Sequence, residues 1–317
     1  MNKATFLRLL AAGAIGAASE LPRPARAADA AAVRISTLPS DTGAEPLYGV
    51  DTGIFAQNGI NAELVLFANY GAIQDALMGR AADVAVLDTL SLATAVAHGA
   101  PLQIIAAAAR YVATAPTLLM CVAANSPVQK PSDLTGRTIA VPTLKNSPEA
   151  AIRAWLAKQH IDASTVKLVE VPFPQMGAAL ERGTVAAATI AEPSLTAARL
   201  GGAKVFANVY ESVAPEFFQN VWVSTPDFVQ GNPDTVKRLV AAIYKIANWA
   251  NAHHAESAAI LAKYAKLDPA TTQAMARTGY GTSVDRKLLQ PLLDVGHAYG
   301  FLPTAMVATD LIAPPYR

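Results

Sequence analysis

A single cysteine, Cys121, stands in 317 residues, so no disulfide can form within the chain. Although 52% of the residues are hydrophobic, no run of 18 or more uncharged apolar residues occurs, and no transmembrane helix is expected. The charge is nearly balanced, 25 basic against 24 acidic residues, and without a basic excess a nucleic-acid partner is not expected. No Ser-His-Asp or Cys-His grouping is evident that would make an activated nucleophile. His253-His254 lies in a polar turn with no third ligand at useful spacing, so the pair reads as solvated and no metal or cofactor is expected. What remains is an apolar chain whose length corresponds to roughly two domains.

Lys3 and Arg8 lead into a short apolar stretch, 9–18, and Ala25-Arg26-Ala27 follows a polar segment. A charged start, an apolar stretch too short to span a bilayer and an A-x-A site describe a secretory signal peptide. Residues 1–27 are therefore expected to be removed, near Ala27, on export to a Gram-negative-type periplasm. Their loss takes away Lys3, Arg8, Arg23, Arg26 and Glu20 and moves the formal charge from +1 to −2. Cys121 is far from the cleavage site and offers no N-terminal lipid anchor. The exported chain is expected to be free of the membrane and a monomer.

From residue 33 the pattern is α/β. The stretch EPLYGVDTGIFAQNGINAELV, 45–65, breaks a helix at Gly53 and again at Asn58-Gly59 before an apolar strand around 62–66. Both breaks suit a left-handed residue after a helical turn, so two short turns fold back and deliver a second strand parallel to the first. A helix over 73–79, the fully apolar strand Val84-Ala85-Val86-Leu87, a helix over 89–98 stopped by Gly99 and a strand over 102–109 follow. From Arg137 the pattern restarts: strands at 138–141, 167–171, 186–190 and 204–206 alternate with helices around Ser147, Met176 and Pro193. Ser147 suits an N-cap, with Pro148 at the first helical position. ALMGRAADVAVLDTLSLATAVAHG and ALERGTVAAATIAEPSLTAARLGG share one order of helix end, glycine, strand, acidic residue, Ser-containing helix and glycine stop. That likeness supports two similar lobes. After Val221-Trp222-Val223 only helices are expected, first a long amphipathic one over 234–252, packing back on one lobe.

The pieces EPLYGVDTGIFAQNGINAELV, ALMGRAADVAVLD, DLTGRTIAVP, LERGTVAA, AEPSLTAA and NPDTVKRLVAAI together span about residues 33–266. They resemble the type II periplasmic solute-binding proteins of ABC importers, in the branch serving aliphatic sulfonates, taurine, nitrate and the thiamine pyrimidine precursor. The resemblance implies an α/β, two-lobed periplasmic-binding-protein type II fold, each lobe a mainly parallel sheet flanked by helices, with two crossover strands as hinge. It places the crossovers near 113–119 and 222–227. The first lobe is then 28–113 plus 225–317, with the helical tail, and the second 114–224. It also implies capture of a small organic solute by hinge closure and delivery to a membrane permease and, through it, an ATPase. A soluble sensor presenting solute to a receptor and a biosynthetic enzyme on the same fold are the alternatives.

Ligands of open α/β sheets lie beyond the carboxyl ends of the strands, where helix N-termini offer unpaired N–H groups. Four corners there supply candidates: Ser40, Asp41 and Thr42 after the first strand; Asn69 and Tyr70; Thr89 and Ser91 beside Asp88; and Asn146 with Ser147. Asn69, Thr89 and Ser147 serve equally as plain helix caps. Tyr48 sits where the family keeps an aromatic facing the cleft, and Tyr70 and Trp222 are placed to stack on a ring or to fill the hinge. Arg110 ends an apolar strand near the crossover and suits an anion clamp or a solvated strand end. Glu192, before Pro193, favours a cationic group or satisfies only the helix dipole. These corner charges leave the sign of the ligand open among a sulfonate, a nitrate-type anion and a heteroaromatic such as a pyrimidine.

Overall fold

Residues 30–316 are described by a computed structural model; the expected signal peptide, 1–27, lies outside the described residues. The run AAVRIST forms β1 (Ala31–Thr37). The double break then works as expected. α1 (Glu45–Asp51) ends before Gly53, φ 71°, and α2 (Ile54–Gln57) before Gly59, φ 70°. Glycine enters left-handed backbone at no steric cost, so the chain reverses twice and lays β2 (Ile60–Leu66) parallel to β1. The two short helices bury Leu47, Tyr48 and Phe55 against the sheet. α3 (Tyr70–Met78), β3 (Val84–Asp88), α4 (Thr89–Ala97) and β4 (Gln103–Ala107) follow.

β5 (Ala109–Val112) leaves this lobe for a second one. There β6 (Leu118–Val122), β7 (Thr138–Val141), α5 (Ser147–Lys158), β8 (Lys167–Glu170), α6 (Phe173–Glu181), β9 (Ala187–Ala191), α7 (Ser194–Leu200) and β10 (Lys204–Ala207) repeat the α/β pattern. Their sheet has the order β10-β6-β9-β7-β8, with β7 parallel to both its neighbours. β11 (Glu216–Phe218) returns, antiparallel to β5, and β12 (Asn220–Ser224) enters the first sheet, whose order is β2-β1-β3-β12-β4.

The crossovers are therefore β5 and β11, a few residues earlier than the sequence suggested. Asn220–Ser224, expected in the second lobe, is instead antiparallel to both β3 and β4 in the first. The reason is apolar on both faces: Val221, Trp222 and Val223 are fully buried, which suits a covered central strand and not a bridging one.

The tail consists of α8 (Pro226–Gly231), α9 (Pro233–Ala252), α10 (His254–Ala265), α11 (Pro269–Ala274), α12 (Arg286–Ala298) and α13 (Ala308–Leu311). α9 buries Val236, Leu239, Val240, Ile243 and Ile246 at helical spacing against the first lobe. A strand does return, against expectation. β13 (Gly279–Tyr280) pairs with β5 and makes the hinge a three-stranded sheet, β11-β5-β13. The tail does not pack on one lobe alone either. On α12, Leu289 and Leu293 enter the core of the first lobe while Leu292 enters that of the second.

The hinge tolerates little added volume. A Cβ on Gly281 would stand 2.5 Å from Phe218 Cε1 and 2.7 Å from Ala107 Cβ, whereas one on Gly231 meets nothing within 4 Å. Gly281→Ala is expected to lower unfolding free energy by about 1–3 kcal/mol, with Gly231→Ala near neutral. Equal thermal midpoints for the two variants would contradict this packing.

Candidate functional site

Apolar strands that end in small polar residues deliver the site. β1 runs into a tight loop, 38–43, closed by the Thr37 hydroxyl donating to Gly43 O at 2.6 Å. β3 ends in Asp88 and passes directly into α4; β7 leads through Thr143 to Asn146 and α5. All these ends face the seam where the lobes meet, and hydrogen bonds cross it. Asp41 N–H donates to Glu192 O at 3.1 Å, Ser147 N–H to Asp88 Oδ1 at 3.2 Å, and Thr278 Oγ1 lies 3.3 Å from Thr117 Oγ1. The lobes are closed on one another.

At the centre, Asp88 Oδ1 accepts from Ser91 N–H at 2.8 Å as well as from Ser147 N–H. The starts of α4 and α5, one from each lobe, thus converge on one carboxylate. No arginine or lysine pairs with Asp88 among the described residues. Burial pushes its carboxyl above the usual range, opposed by the Ser147 hydroxyl and the Ser91 and Ser147 N–H groups. Tyr70 OH accepts from Asn220 Nδ2 at 3.1 Å, and burial, with Asp88 adding, pushes it up to about 12. Tyr210, also buried, is raised by burial first and by Asp88 next. Among the described residues, the buried amide nitrogens Asn146 Nδ2 and Gln219 Nε2 have no hydrogen-bond partner, nor has Thr143 Oγ1. Buried donors of this kind are costly unless something accepts from them. A cavity of about 510 Å3 opens beside the seam, lined by Tyr70, Gln74, Ser91, Thr94, Thr143 and Lys145 among others. A larger one of about 810 Å3, between α6 and α7, is lined by none of the candidates named from the sequence.

Of those candidates, Ser40, Thr42, Tyr70, Ser91, Asn146 and Ser147 are buried along the seam. Ser40 Oγ and Thr42 Oγ1 lie 3.2 Å apart. Asn146, not Ser147, is the N-cap of α5, its Oδ1 accepting from Glu149 N–H at 3.1 Å. Asn69 caps α3, accepting from Ala72 N–H at 2.9 Å. Thr89 is a hinge tie, its Oγ1 donating to Phe218 O at 2.8 Å.

Four of the candidates are taken up by contacts within the protein. Trp222 is a core residue: its Nε1 donates to buried Glu45 at 2.7 Å and its ring packs on Phe55. Tyr48 is fully buried against Trp249 and Tyr280, and its OH accepts from Arg277 at 2.9 Å. Arg110 pairs with Glu216 across the hinge at 2.8 Å, on a half-exposed face. Asp41 offers no free charge, because Arg277 donates to its Oδ1 at 3.0 and 3.1 Å and Thr278 N–H to its Oδ2. Glu192 stays at the seam, where its carboxylate accepts from Thr196 N–H and hydroxyl at 3.0 and 2.9 Å. The sequence reading missed Gln219, Asn220, Tyr210 and Arg277; Gln219-Asn220 did carry a signal, two amides interrupting the apolar run FFQNVWV. Cys121 lies in the core of the second lobe, where burial pushes its thiol up to about 12.

The model of the NMT1/THI5-like family matches residues 44–257. The taurine-binding periplasmic protein of Escherichia coli is 28% identical over 209 residues, a match covering 63% of this chain and 62% of that protein's length. The alkanesulfonate-binding protein SsuA of Xanthomonas axonopodis, solved with MOPS, is 19% identical with a TM-score of 0.76, over 90% of this chain and 99% of that one. The periplasmic nitrate-binding protein NrtA of Synechocystis is 18% identical with a TM-score of 0.72, over 88% of this chain and 84% of that one. The likeness to the two solved structures is one of fold.

Two outcomes are expected from the seam. Asp41→Asn leaves Arg277, only 9% exposed, without its counter-charge. The loss should be about 3 kcal/mol or more in unfolding free energy, and a change under about 1 kcal/mol would contradict the pairing. At Glu192, burial pushes the carboxyl up to about 7 from an ordinary 4.5, Thr196 pulling it down and Asp41 adding to the rise. A raised carboxyl binds its proton more tightly in the folded chain, so its contribution is complete below pH 4.5 and is lost as the pH rises through about 7. Thermal midpoints should fall across that window and fall less in Glu192→Gln; the same slope in both would contradict the assignment.

Proposed function

Because the chain belongs to the NMT1/THI5-like family, we propose that it is the substrate-binding component of an ABC importer. It works in the periplasm, takes a small organic solute between its lobes and hands it to a permease that an ATPase drives. The observation that carries this reading is the seam itself: buried polar residues from both lobes converge on the starts of α4 and α5, and among the described residues the buried amide nitrogens of Asn146, the cap of α5, and Gln219, between β11 and β12, have no partner. The lobes are joined by short antiparallel strands at the hinge, an arrangement that opens and closes with few backbone changes. Solute lying across the seam is bonded by both lobes only when they are shut, so binding and closure are one event. The relatives named for taurine, alkanesulfonate and nitrate support solute capture as the task.

The test is a thermal-shift screen of the chain without residues 1–27 against alkanesulfonates, taurine, nitrate, aromatic carboxylates, riboflavin and pyrimidines. Solute at about 100 times its dissociation constant stabilises the fold by roughly 2.7 kcal/mol. Titration of a hit should then show Asn146→Ala and Gln219→Ala binding roughly 10- to 100-fold more weakly, as for hydrogen bonds lost from a buried site, with Arg110→Ala unchanged. A screen without any hit, or a hit whose affinity ignores both amides, would contradict the proposal.

A further inference from the structure

β7, β8, β9 and β10 run in one direction through the second sheet and begin at the end of that lobe away from the seam. β6, antiparallel to β9 and β10, finishes there. Four stretches of chain therefore meet at this outer end: 123–138, 158–167, 181–187 and 199–204. Their charge is lopsided. The first holds Lys130 and Arg137, the second Lys158 and Lys167, the third Arg182 and the fourth Arg199 and Lys204, against Asp133, Asp162 and Glu181. All seven basic residues are exposed, and none has an ion-pair partner among the described residues. Asp133 and Asp162 are bonded within their own loops, accepting from Gln129 and Lys130 N–H and from Ser164.

The rest of the molecule is different. Outside these stretches, and without residues 1–27, the chain has 14 basic and 20 acidic residues. At the matching end of the first lobe the cations are paired, Arg80 with Asp227 at 3.2 Å and Arg34 with Asp83 at 2.6 Å. A nearly neutral chain thus gathers its unpaired cations on one face.

Among them stands Leu200, which closes α7 and is 72% exposed, more than any other large apolar side chain among the described residues. Val205, next to Lys204 on the edge strand β10, is 46% exposed. Cations around a bare apolar tip suit a lipid surface: the cations meet headgroup phosphates while the apolar side chain enters the acyl boundary. An acidic protein face would meet the same cations, but two exposed apolar side chains are too few for the apolar centre of a protein interface.

We propose that the outer end of the second lobe is a membrane-surface contact, where Leu200 seats at the headgroup boundary of an anionic bilayer and Arg199, Lys204 and the neighbouring cations bind its phosphates. The contact is peripheral and salt-sensitive, and it revises the expectation of a chain free of the membrane. It leaves the seam, at the other end of the lobe, uncovered, and it does not depend on which solute the seam takes.

The experiment is vesicle flotation of the chain without residues 1–27, with no solute present. Phosphatidylcholine vesicles with about one third phosphatidylglycerol are expected to bind at least about tenfold more tightly than phosphatidylcholine alone. Raising salt from about 0.03 to about 0.3 M should release the chain. Each cation near an anionic surface strengthens binding about fivefold, so the Arg199→Glu, Lys204→Glu double variant should bind at least about tenfold more weakly. Leu200→Ser should bind at least about threefold more weakly, and Lys237→Glu, on exposed α9 surface of the first lobe, should bind as the unaltered chain does. Thermal midpoints equal to that of the unaltered chain show that the exposed substitutions leave the fold intact. Equal binding to both vesicle types, no binding to either, or an unchanged affinity in the double variant or in Leu200→Ser would overturn the inference. So would retention on immobilised polyglutamate without binding to anionic vesicles, which would point to an acidic protein instead.

Discussion

A carboxylate taken out of water needs donors, a cation or a proton, and among the described residues five are buried: Asp41, Glu45, Asp88, Glu192 and Glu149, the last paired with Arg153 at 2.6 Å. Each meets the requirement differently. Asp41 has the guanidinium of Arg277, which reaches it from a position 236 residues away. Burial raises Glu45 well above the usual carboxylate range, and its Oε2 accepts from the Trp222 indole. Glu192 has both donors of Thr196. Asp88 has two helix starts and, among the described residues, no cation. The loop after β1, the first turn of α1, the segment after α11 and the start of α5 are all held where these solutions require them.

Closure follows from the same set of groups. Asp41 is fixed to the tail through Arg277 and Thr278, and its backbone N–H reaches Glu192 in the second lobe. Tyr280, on the hinge strand β13, donates to Asp41 O and so ties the loop to the hinge. α12 adds an apolar bridge by placing Leu292 in one core and Leu289 and Leu293 in the other. Against these contacts stand the polar atoms that the closed protein leaves unsatisfied. A solute that pairs them shifts the balance toward the closed lobes, by an amount set by the contacts it makes only in that state.

Much of this was legible in the chain. Strand runs that end in Asn, Asp, Ser or Thr ahead of a helical pattern announced the corners at Asn69, Asp88 and Asn146, because cap chemistry is local and needs no knowledge of the fold. Gly53 and Gly59 announced the double reversal for the same reason. The aromatic residues were less readable. What Tyr48 and Trp222 face is decided by Arg277 and Glu45, 229 and 177 residues away in the chain. The second crossover was misplaced because β11 and β12 are separated by Gln219 alone, and that residue's amide marks the change from hinge to core strand. Arg110 looked like a clamp only because its partner Glu216, 106 residues on, carries no local pattern.

The central claim is that the two lobes close around a solute at the Asp88 seam. Small-angle scattering of the chain without residues 1–27, recorded alone and saturated with the probe that binds it most tightly, tests this most directly. A smaller radius of gyration with bound solute, and no contraction in the Asn146→Ala, Gln219→Ala double variant at the same concentration, is the predicted result. An identical scattering curve with and without bound solute would contradict the account.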